Sequence, residues 1–285
     1  MLISPHLSLT VTILVLGAGV LHAIWNAIAS VIKDKRVAFG LIGLTEAVAA
    51  AICLPFTGMP RSSALAYVGA SALIHVAYIY ALLHSYRLGD FGRAYPLARG
   101  TSPLLVTAGA WFLADEHLAA IQIAGISLIA GALIAIVFAG GRLTRADVPA
   151  TLAAMLTGIT IAAYTVLDGL GVRHAHNPLG YIALLFLLQG PVVTVIAAVS
   201  LRHQLGSLTP ADVPAGLLAG ALSLIAYGIV IWAQTHGPLA LVSALRETSV
   251  ISAALIATLL FHEPLGRRRL GPSIAVVAGI ALITI

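Results

Sequence analysis

Ionisable side chains occur inside long apolar stretches of this sequence, where they could bind a polar molecule. Arg246 and Glu247 are adjacent within one such stretch, and Arg99 and Glu46 lie within two others. Ionisable groups are costly in hydrocarbon, so they usually face the protein interior and mark a pathway or a binding site. Because adjacent residues do not share a helix face, we expect one of Arg246 and Glu247 to point into a polar interior.

The sequence leaves alternatives for each of these groups. Arg246 is a candidate for binding a substrate carboxylate or for gating. Arg99 is either a candidate for the same cavity roles as Arg246, or it extends its charged end to the membrane interface. Glu46 is a candidate for proton coupling, or it pairs with Arg99 or another buried cation. Asp168 precedes Gly169 at the predicted end of a helix, which favours a capping or interface role.

Aromatic and histidine side chains accompany the charges. His22, Trp25 and Asn26 are spaced i, i+3 and i+4, so they share one helix face that forms either a site wall or a hydrogen-bonded patch between helices. His75 and Tyr78 are neighbours on another helix. We predict a substrate-binding set of His22, Trp25, Asn26, His75, Tyr78, Tyr95, Arg99, Tyr164, Tyr227, Arg246 and Glu247, with Glu46 as the coupling candidate.

The elements that must position these residues are transmembrane helices. Of the 285 residues, 60% are hydrophobic and 9% are charged, and the mean hydropathy is +1.04. A soluble domain is about 25% charged. Segments 1–32, 62–86, 118–141 and 178–201 contain no Asp, Glu, Lys or Arg, and each is long enough to cross a bilayer.

Charge, glycine and proline divide the chain into ten predicted spans with short connections. Gly216 and Gly220 are spaced for close helix contact. We predict an all-α integral membrane protein, with 1–140 and 141–285 as two five-helix halves of one membrane domain. The predicted spans lie near 10–31, 37–56, 63–86, 93–113, 118–139, 148–169, 179–201, 211–234, 240–261 and 269–285.

A weak internal repeat relates the two halves. The pattern Arg-x-Thr-Ser begins at Arg99 and at Arg246, and the pattern Glu-x-Leu begins at Glu116 and at Glu263; both intervals are 147 residues. An odd number of spans in each half inverts the second half relative to the first. Inverted repeats are a known transporter construction with the substrate site at the repeat interface. The sequence therefore predicts two inverted five-helix repeats around a central cavity.

Three sequence features carry a resemblance to a known family. They are His22-Ala-Ile-Trp25-Asn26-Ala, Tyr164-Thr-Val-Leu-Asp168-Gly169 and the Glu116 and Glu263 elements. Together with the five-plus-five layout, they make the whole chain resemble the EamA-type ten-helix exporters of the drug/metabolite transporter superfamily. Within that superfamily the chain is similar to aromatic amino-acid exporters, which implies a basket of helices around a central cavity.

The leading functional hypothesis is a secondary carrier that exports small metabolites by alternating access, with amino acids, aromatic ones included, as favoured cargo. The alternatives are export of other drugs or metabolites, a membrane-embedded enzyme acting on lipid, and a channel. The sequence has no GxxxxGK[ST], HExxH or GxSxG pattern, so direct use of ATP and hydrolytic catalysis are not expected. We predict no enzyme activity, catalytic residue, cofactor or metal site.

The expected partners are a small-molecule substrate and the lipid bilayer. A monomer is one assembly that the sequence allows. Nucleic acid is not an expected partner, because the 15 Lys and Arg residues behind the net charge of +5 sit in short clusters between apolar segments. The expected location is a plasma or inner membrane, which the chain crosses several times.

The basic residues also predict an orientation. Eleven of the fifteen lie in odd-numbered connections, whereas only Arg61 and Arg173 lie in even-numbered ones. Short basic connections stay in the cytoplasm, so both termini and the even connections should face outward, although relatives are commonly drawn with cytoplasmic termini.

In a Cys53-free background, single cysteines at 34, 143 and 267 should resist an impermeant thiol reagent applied outside, while cysteines at 5 and 175 should react. The opposite labelling pattern would reverse the orientation.

Overall fold

A computed structural model describes residues 6–88, 91–139, 144–201, 209–260 and 267–284. The described residues form α-helices and two short 3-10 turns, and they contain no strand. The first half comprises α1 (Leu9–Val31), α2 (Lys35–Thr57), α3 (Leu65–Leu88), α4 (Phe91–Ala114) and α5 (Ala120–Ala139). Ser8 caps α1 by accepting a hydrogen bond from the backbone N–H of Val11. Gly58 ends α2 at φ +77°, a conformation that favours glycine.

The second half comprises α6 (Val148–Ala175), α7 (Pro178–Leu201), α8 (Asp212–Ala233), α9 (Leu239–Arg246), α10 (Ser249–Leu260) and α11 (Arg267–Thr284). The predicted end of the sixth span at 169 is wrong. Helix α6 continues past Gly169 to Ala175 and ends where His176 adopts the left-handed conformation at φ 54°. Gly169 lies within α6 and packs closely against Leu239 instead of forming a terminating turn.

The segment predicted as one span near 240–261 is interrupted, because α9 and α10 are separate helices. The backbone N–H groups of Glu247 and Thr248 donate to the carbonyls of Ala244 and Leu245, both at 3.1 Å. These i to i+3 bonds replace the regular α-helical pattern and interrupt the helix in the protein interior. An interrupted helix at membrane depth is tolerated where surrounding protein satisfies the backbone.

Seven helical segments of the described part are long and apolar enough to cross a membrane. They include α1 to α3 and α5 to α8, whereas α4, which contains Arg99 and two prolines, is not among them. Large apolar side chains such as Phe56 and Phe112 are more than four-fifths exposed on the outside of the bundle, as expected for side chains that face lipid. The chain is therefore a multi-pass membrane protein.

Close helix packing organises the bundle: α2 packs on α7 and α8, α3 and α4 on α6, α1 on α8, and α5 on α11. The predicted close contact at Gly216 and Gly220 is confirmed. A Cβ at Gly216 would lie 2.5 Å from the Cβ of Leu41, and one at Gly220 would lie 2.9 Å from the carbonyl oxygen of Ile42. Both glycines therefore let α8 approach α2 closely.

Gly220→Ala should destabilise the folded protein by about 1–3 kcal/mol, because the added methyl group would press on the α2 backbone. Gly17→Ala is the matched control, since a Cβ at Gly17 meets nothing within 4 Å and alanine favours a helix. Thermal unfolding in one detergent would compare them. Equal midpoints for the two variants would contradict the packing role of Gly220.

Candidate functional site

Three charged side chains meet at the break between α9 and α10. The Nη1 of Arg99 lies 3.2 Å from Oε2 of Glu247, and the Nη2 of Arg246 lies 3.4 Å from Oε1 of the same carboxylate. All three side chains are at most 5% exposed. Buried charges of this kind require partners because their desolvation is costly. We call Arg99, Arg246 and Glu247 the ion cluster; it carries two positive charges and one negative charge.

The ion cluster shows where the side chains of Arg99, Arg246 and Glu247 lie, which the sequence left open. Arg99 does not extend to the membrane interface, because its guanidinium is buried against Glu247. Glu247 reaches its neighbour Arg246 because it follows the last residue of α9 and is outside the regular helix. The Nε atom of Arg246 is buried and has no hydrogen-bond partner among the described residues. Arg246 therefore retains a donor for another acceptor.

The polar face of α1 borders the ion cluster. The Nε1 of Trp25 donates to Nδ1 of His22 at 3.2 Å, and Nδ2 of Asn26 donates to the His22 carbonyl at 2.7 Å. The Nε2 of His22 contacts Nη2 of Arg99. The predicted shared face of α1 is thus present as a hydrogen-bonded patch, and His22 joins that patch to the ion cluster.

Aromatic rings from α3, α6 and α8 form a second group. His75 stacks on Tyr164 with ring centroids 3.9 Å apart, while Tyr78 and Tyr227 meet Tyr164 edge-on at 5.5 and 5.8 Å. Arg246 is close enough to Tyr164 and Tyr227 to interact with them electrostatically. We call His75, Tyr78, Tyr164 and Tyr227 the aromatic cluster; it brings ring faces and hydroxyl groups together within the electrostatic reach of Arg246.

Asp168 was absent from the predicted binding set, and its predicted capping or interface role is wrong. Its fully buried carboxylate accepts hydrogen bonds from the hydroxyl groups of Tyr227 at 2.6 Å and Tyr181 at 3.0 Å. The cause of the error is the boundary at Gly169, since α6 continues to Ala175. The rule that an ionisable residue inside a span marks a site would have included Asp168 had that boundary been correct.

Glu46 forms a separate polar contact between α2 and α8. Its buried carboxylate accepts a hydrogen bond from Oγ of Ser223 at 3.0 Å. The alternative pairing with Arg99 is wrong because Arg99 binds Glu247. No ion pair of Glu46 occurs within the described ranges. The side chain of Tyr95, another predicted site residue, lies outside the described residues.

Helix α9 is held at its other end by a contact that the sequence did not reveal. Both carboxylate oxygens of Glu116 accept from the backbone N–H of Leu239, at 2.9 and 2.8 Å. Arg173 donates to Glu116 at 2.7 Å and to the carbonyls of Gln234 and Gly237 at 2.9 Å each. A carboxylate at a helix N-terminus also complements the helix dipole. Charged contacts thus fix both ends of this buried eight-residue helix.

Comparisons with known proteins bear on the second half and on the fold. The profile of the EamA-like transporter family matches residues 148–285, just under half of the chain. The comparison with curated proteins gave no significant match. A solved protein crystal structure superposes with a TM-score of 0.75 over 97% of this chain and 98% of that chain, at 18% identity. At that identity, the likeness establishes a shared fold alone.

Proposed function

We propose that this protein is a secondary membrane carrier that exports small metabolites bearing a carboxylate, with amino acids, aromatic ones included, as favoured cargo. The family match over α6 to α11 supports transport of small molecules. The ion and aromatic clusters support the cargo class, because they offer a cation and π faces within one buried region. Export of other drugs or metabolites is the alternative.

The single observation that carries the cargo class is the environment of Arg246. Its guanidinium is buried and interacts electrostatically with Tyr164 and Tyr227. Its Nε atom has no hydrogen-bond partner within the described residues. A planar guanidinium binds carboxylates through parallel N–H donors. An amino acid could therefore place its carboxylate at Arg246 and its side chain against the tyrosine rings.

The proposed architecture is ten spans in two inverted repeats, with α9 and α10 together forming the ninth span. The helix contacts support this arrangement. In the repeat, α1, α2 and α3 correspond to α6, α7 and α8. The α1–α8 contact then corresponds to the observed α3–α6 contact, and the α2–α8 contact to the observed α3–α7 contact. A helix interrupted beside the binding residues is a recurring feature of transporters built from inverted repeats. We propose that rocking of one repeat against the other gives alternating access.

Glu46 is the proposed coupling residue. A carboxylate within the bundle that forms a hydrogen bond to Ser223, and for which the described ranges show no ion pair, can take up and release a proton without breaking a salt bridge. The carboxylates of Glu116 and Glu247 are less suited to this role because they pair with Arg173 and with the two arginines of the ion cluster.

The proposed function is tested by efflux of radiolabelled amino acids from sealed liposomes that contain only this protein. A carrier gives saturable and stereoselective flux, and we expect aromatic amino acids to compete with one another. A linear conductance without saturation would identify a channel, and chemical conversion of a lipid would identify an enzyme. Either result would overturn the proposal.

Replacing Trp25, Tyr78 or Tyr227 with alanine should reduce transport at least tenfold while membrane expression falls less, if these rings contact cargo. Tyr227→Phe separates two roles of one residue, because it keeps the ring and removes the hydrogen bond to Asp168. Trp111→Ala is the control, since Trp111 is an exposed aromatic side chain on α4. Parallel losses of expression and transport in all three alanine variants would indicate packing alone.

A further inference from the structure

A groove between α2, α3 and α7 is lined by none of the residues of the ion and aromatic clusters. It encloses about 160 Å³. Three of its polar lining residues are near the helix ends: Arg36 is in the first turn of α2, while His84 and Ser200 are close to the carboxyl ends of α3 and α7. These helix ends adjoin odd-numbered connections, which carry eleven of the fifteen basic residues. The polar mouth of the groove therefore opens on the side of the bundle where the basic residues are concentrated.

The deeper part of the groove is apolar. Val76 and Ile79 of α3 and Val193 of α7 line it. Val76 precedes His84 by eight residues and Val193 precedes Ser200 by seven, which corresponds to about 10–12 Å along a helix axis. The groove therefore changes from polar to apolar over the depth at which a bilayer changes from headgroups to acyl chains.

The mouth of the groove is positively charged. The connection into α2 carries Lys33, Lys35 and Arg36 against a single carboxylate, Asp34. Asp34 pairs with Arg36 itself, accepting from its Nε at 3.0 Å and its Nη2 at 2.6 Å. These hydrogen bonds hold the pKa of Asp34 below its usual range, so Asp34 stays ionised and the two lysines carry the excess positive charge. Arg36 also donates to the carbonyl of Ser200 at 3.0 Å, which holds its guanidinium between α2 and α7.

We propose that this groove binds one phospholipid with an anionic headgroup, whose phosphate lies beside Arg36 and whose acyl chain lies along Val76 and Ile79. Basic pockets between transmembrane helices at the membrane surface are suited to anionic headgroups. The apolar depth selects a lipid over a soluble phosphate, because burial of methylene groups contributes to binding only for the lipid. The site is independent of the proposed cargo and of the direction of transport.

Native mass spectrometry of the purified full chain tests the headgroup. The first phosphatidylglycerol molecule to bind should do so about tenfold more tightly than phosphatidylcholine with the same acyl chains. Arg36→Gln should weaken the binding of phosphatidylglycerol about fivefold. Asp34→Asn should strengthen it, since asparagine preserves the cap of α2. Arg61→Gln removes one positive charge elsewhere and should change nothing. Equal binding of the two lipids, or equal losses for Arg36→Gln and Arg61→Gln, would overturn the proposal.

A second pair of variants tests the apolar part. Ile79→Trp should fill the groove and abolish the preferential binding, whereas Leu73→Trp, at an exposed position of the same helix, should preserve it. Unfolding midpoints without added lipid will show that each variant is folded; should Arg36→Gln fail to fold, Asp34→Asn and Ile79→Trp still decide the result. Displacement of the lipid by soluble glycerol phosphate would identify a phosphate site, and displacement by transported cargo would identify a cargo portal. Either outcome would overturn the lipid assignment.

Discussion

Glu247→Gln is expected to lower the free energy of unfolding by about 3–5 kcal/mol, because it leaves Arg99 and Arg246 buried together without their shared carboxylate. Glu247 has no exposed surface, and both guanidinium groups lie within 3.4 Å of it. The residual repulsion between two buried cations adds to the lost attraction. Thermal unfolding in a fixed detergent, read by circular dichroism, would measure the loss.

Two further variants separate charge from packing. Arg99→Gln combined with Glu247→Gln restores the original net charge of the ion cluster and should recover part of the lost stability. Glu46→Gln also neutralises a buried carboxylate, but Glu46 accepts its hydrogen bond from Ser223, so we expect a loss below about 1 kcal/mol. If Glu46→Gln is as damaging as Glu247→Gln, the ion cluster has no special role in stability.

Arg246→Gln is expected to weaken binding of a carboxylate cargo about 30- to 100-fold, whereas a decarboxylated amine analogue should lose less than about threefold. Hydrogen bonds to charged groups contribute about 1.5–3 kcal/mol, and each 1.4 kcal/mol corresponds to a factor of about ten in affinity. Arg246→Lys should recover only part of the affinity, because lysine keeps the charge but lacks the planar pair of donors. Ligand-dependent thermal stabilisation would report both affinities.

Arg61→Gln provides the matched control for Arg246→Gln, because Arg61 is an exposed arginine in the connection between α2 and α3. It should leave both affinities unchanged. Equal losses for the carboxylate cargo and the amine analogue in Arg246→Gln would exclude a carboxylate contact, since that result is expected from a distorted site. In that case the buried arginine would act in the structure of the ion cluster alone.

Several site features could be read from single segments of the sequence. The i, i+3 and i+4 spacing of His22, Trp25 and Asn26 predicted their shared face, which the hydrogen bonds to His22 confirm. The matching Arg-x-Thr-Ser patterns relate Arg99 and Arg246, and both arginines form ion pairs with Glu247 in the folded chain. Spacing is sufficient in such cases because helix geometry depends on neighbours within one or two turns.

Other features depend on residues far apart in the chain. Asp168 is inside the bundle because α6 extends beyond Gly169 and because Tyr181 and Tyr227 come from two other helices. Glu116 holds the start of α9 across 123 residues of sequence. No local pattern specifies such a partner, since each side chain has several acceptable hydrogen-bond partners and the packing of helices selects one.

The sequence by itself determined the membrane class and most helix positions, because the low content of charge leaves long segments that are stable only out of water. Only the tertiary structure decided that the helix is interrupted at Glu247 and Thr248 and that two arginines share the Glu247 carboxylate. Hydrophobicity is a property of each segment and acts without reference to the rest of the fold. Glu247 receives its second arginine from the other half of the chain, and only the assembled bundle brings Arg99 to that place.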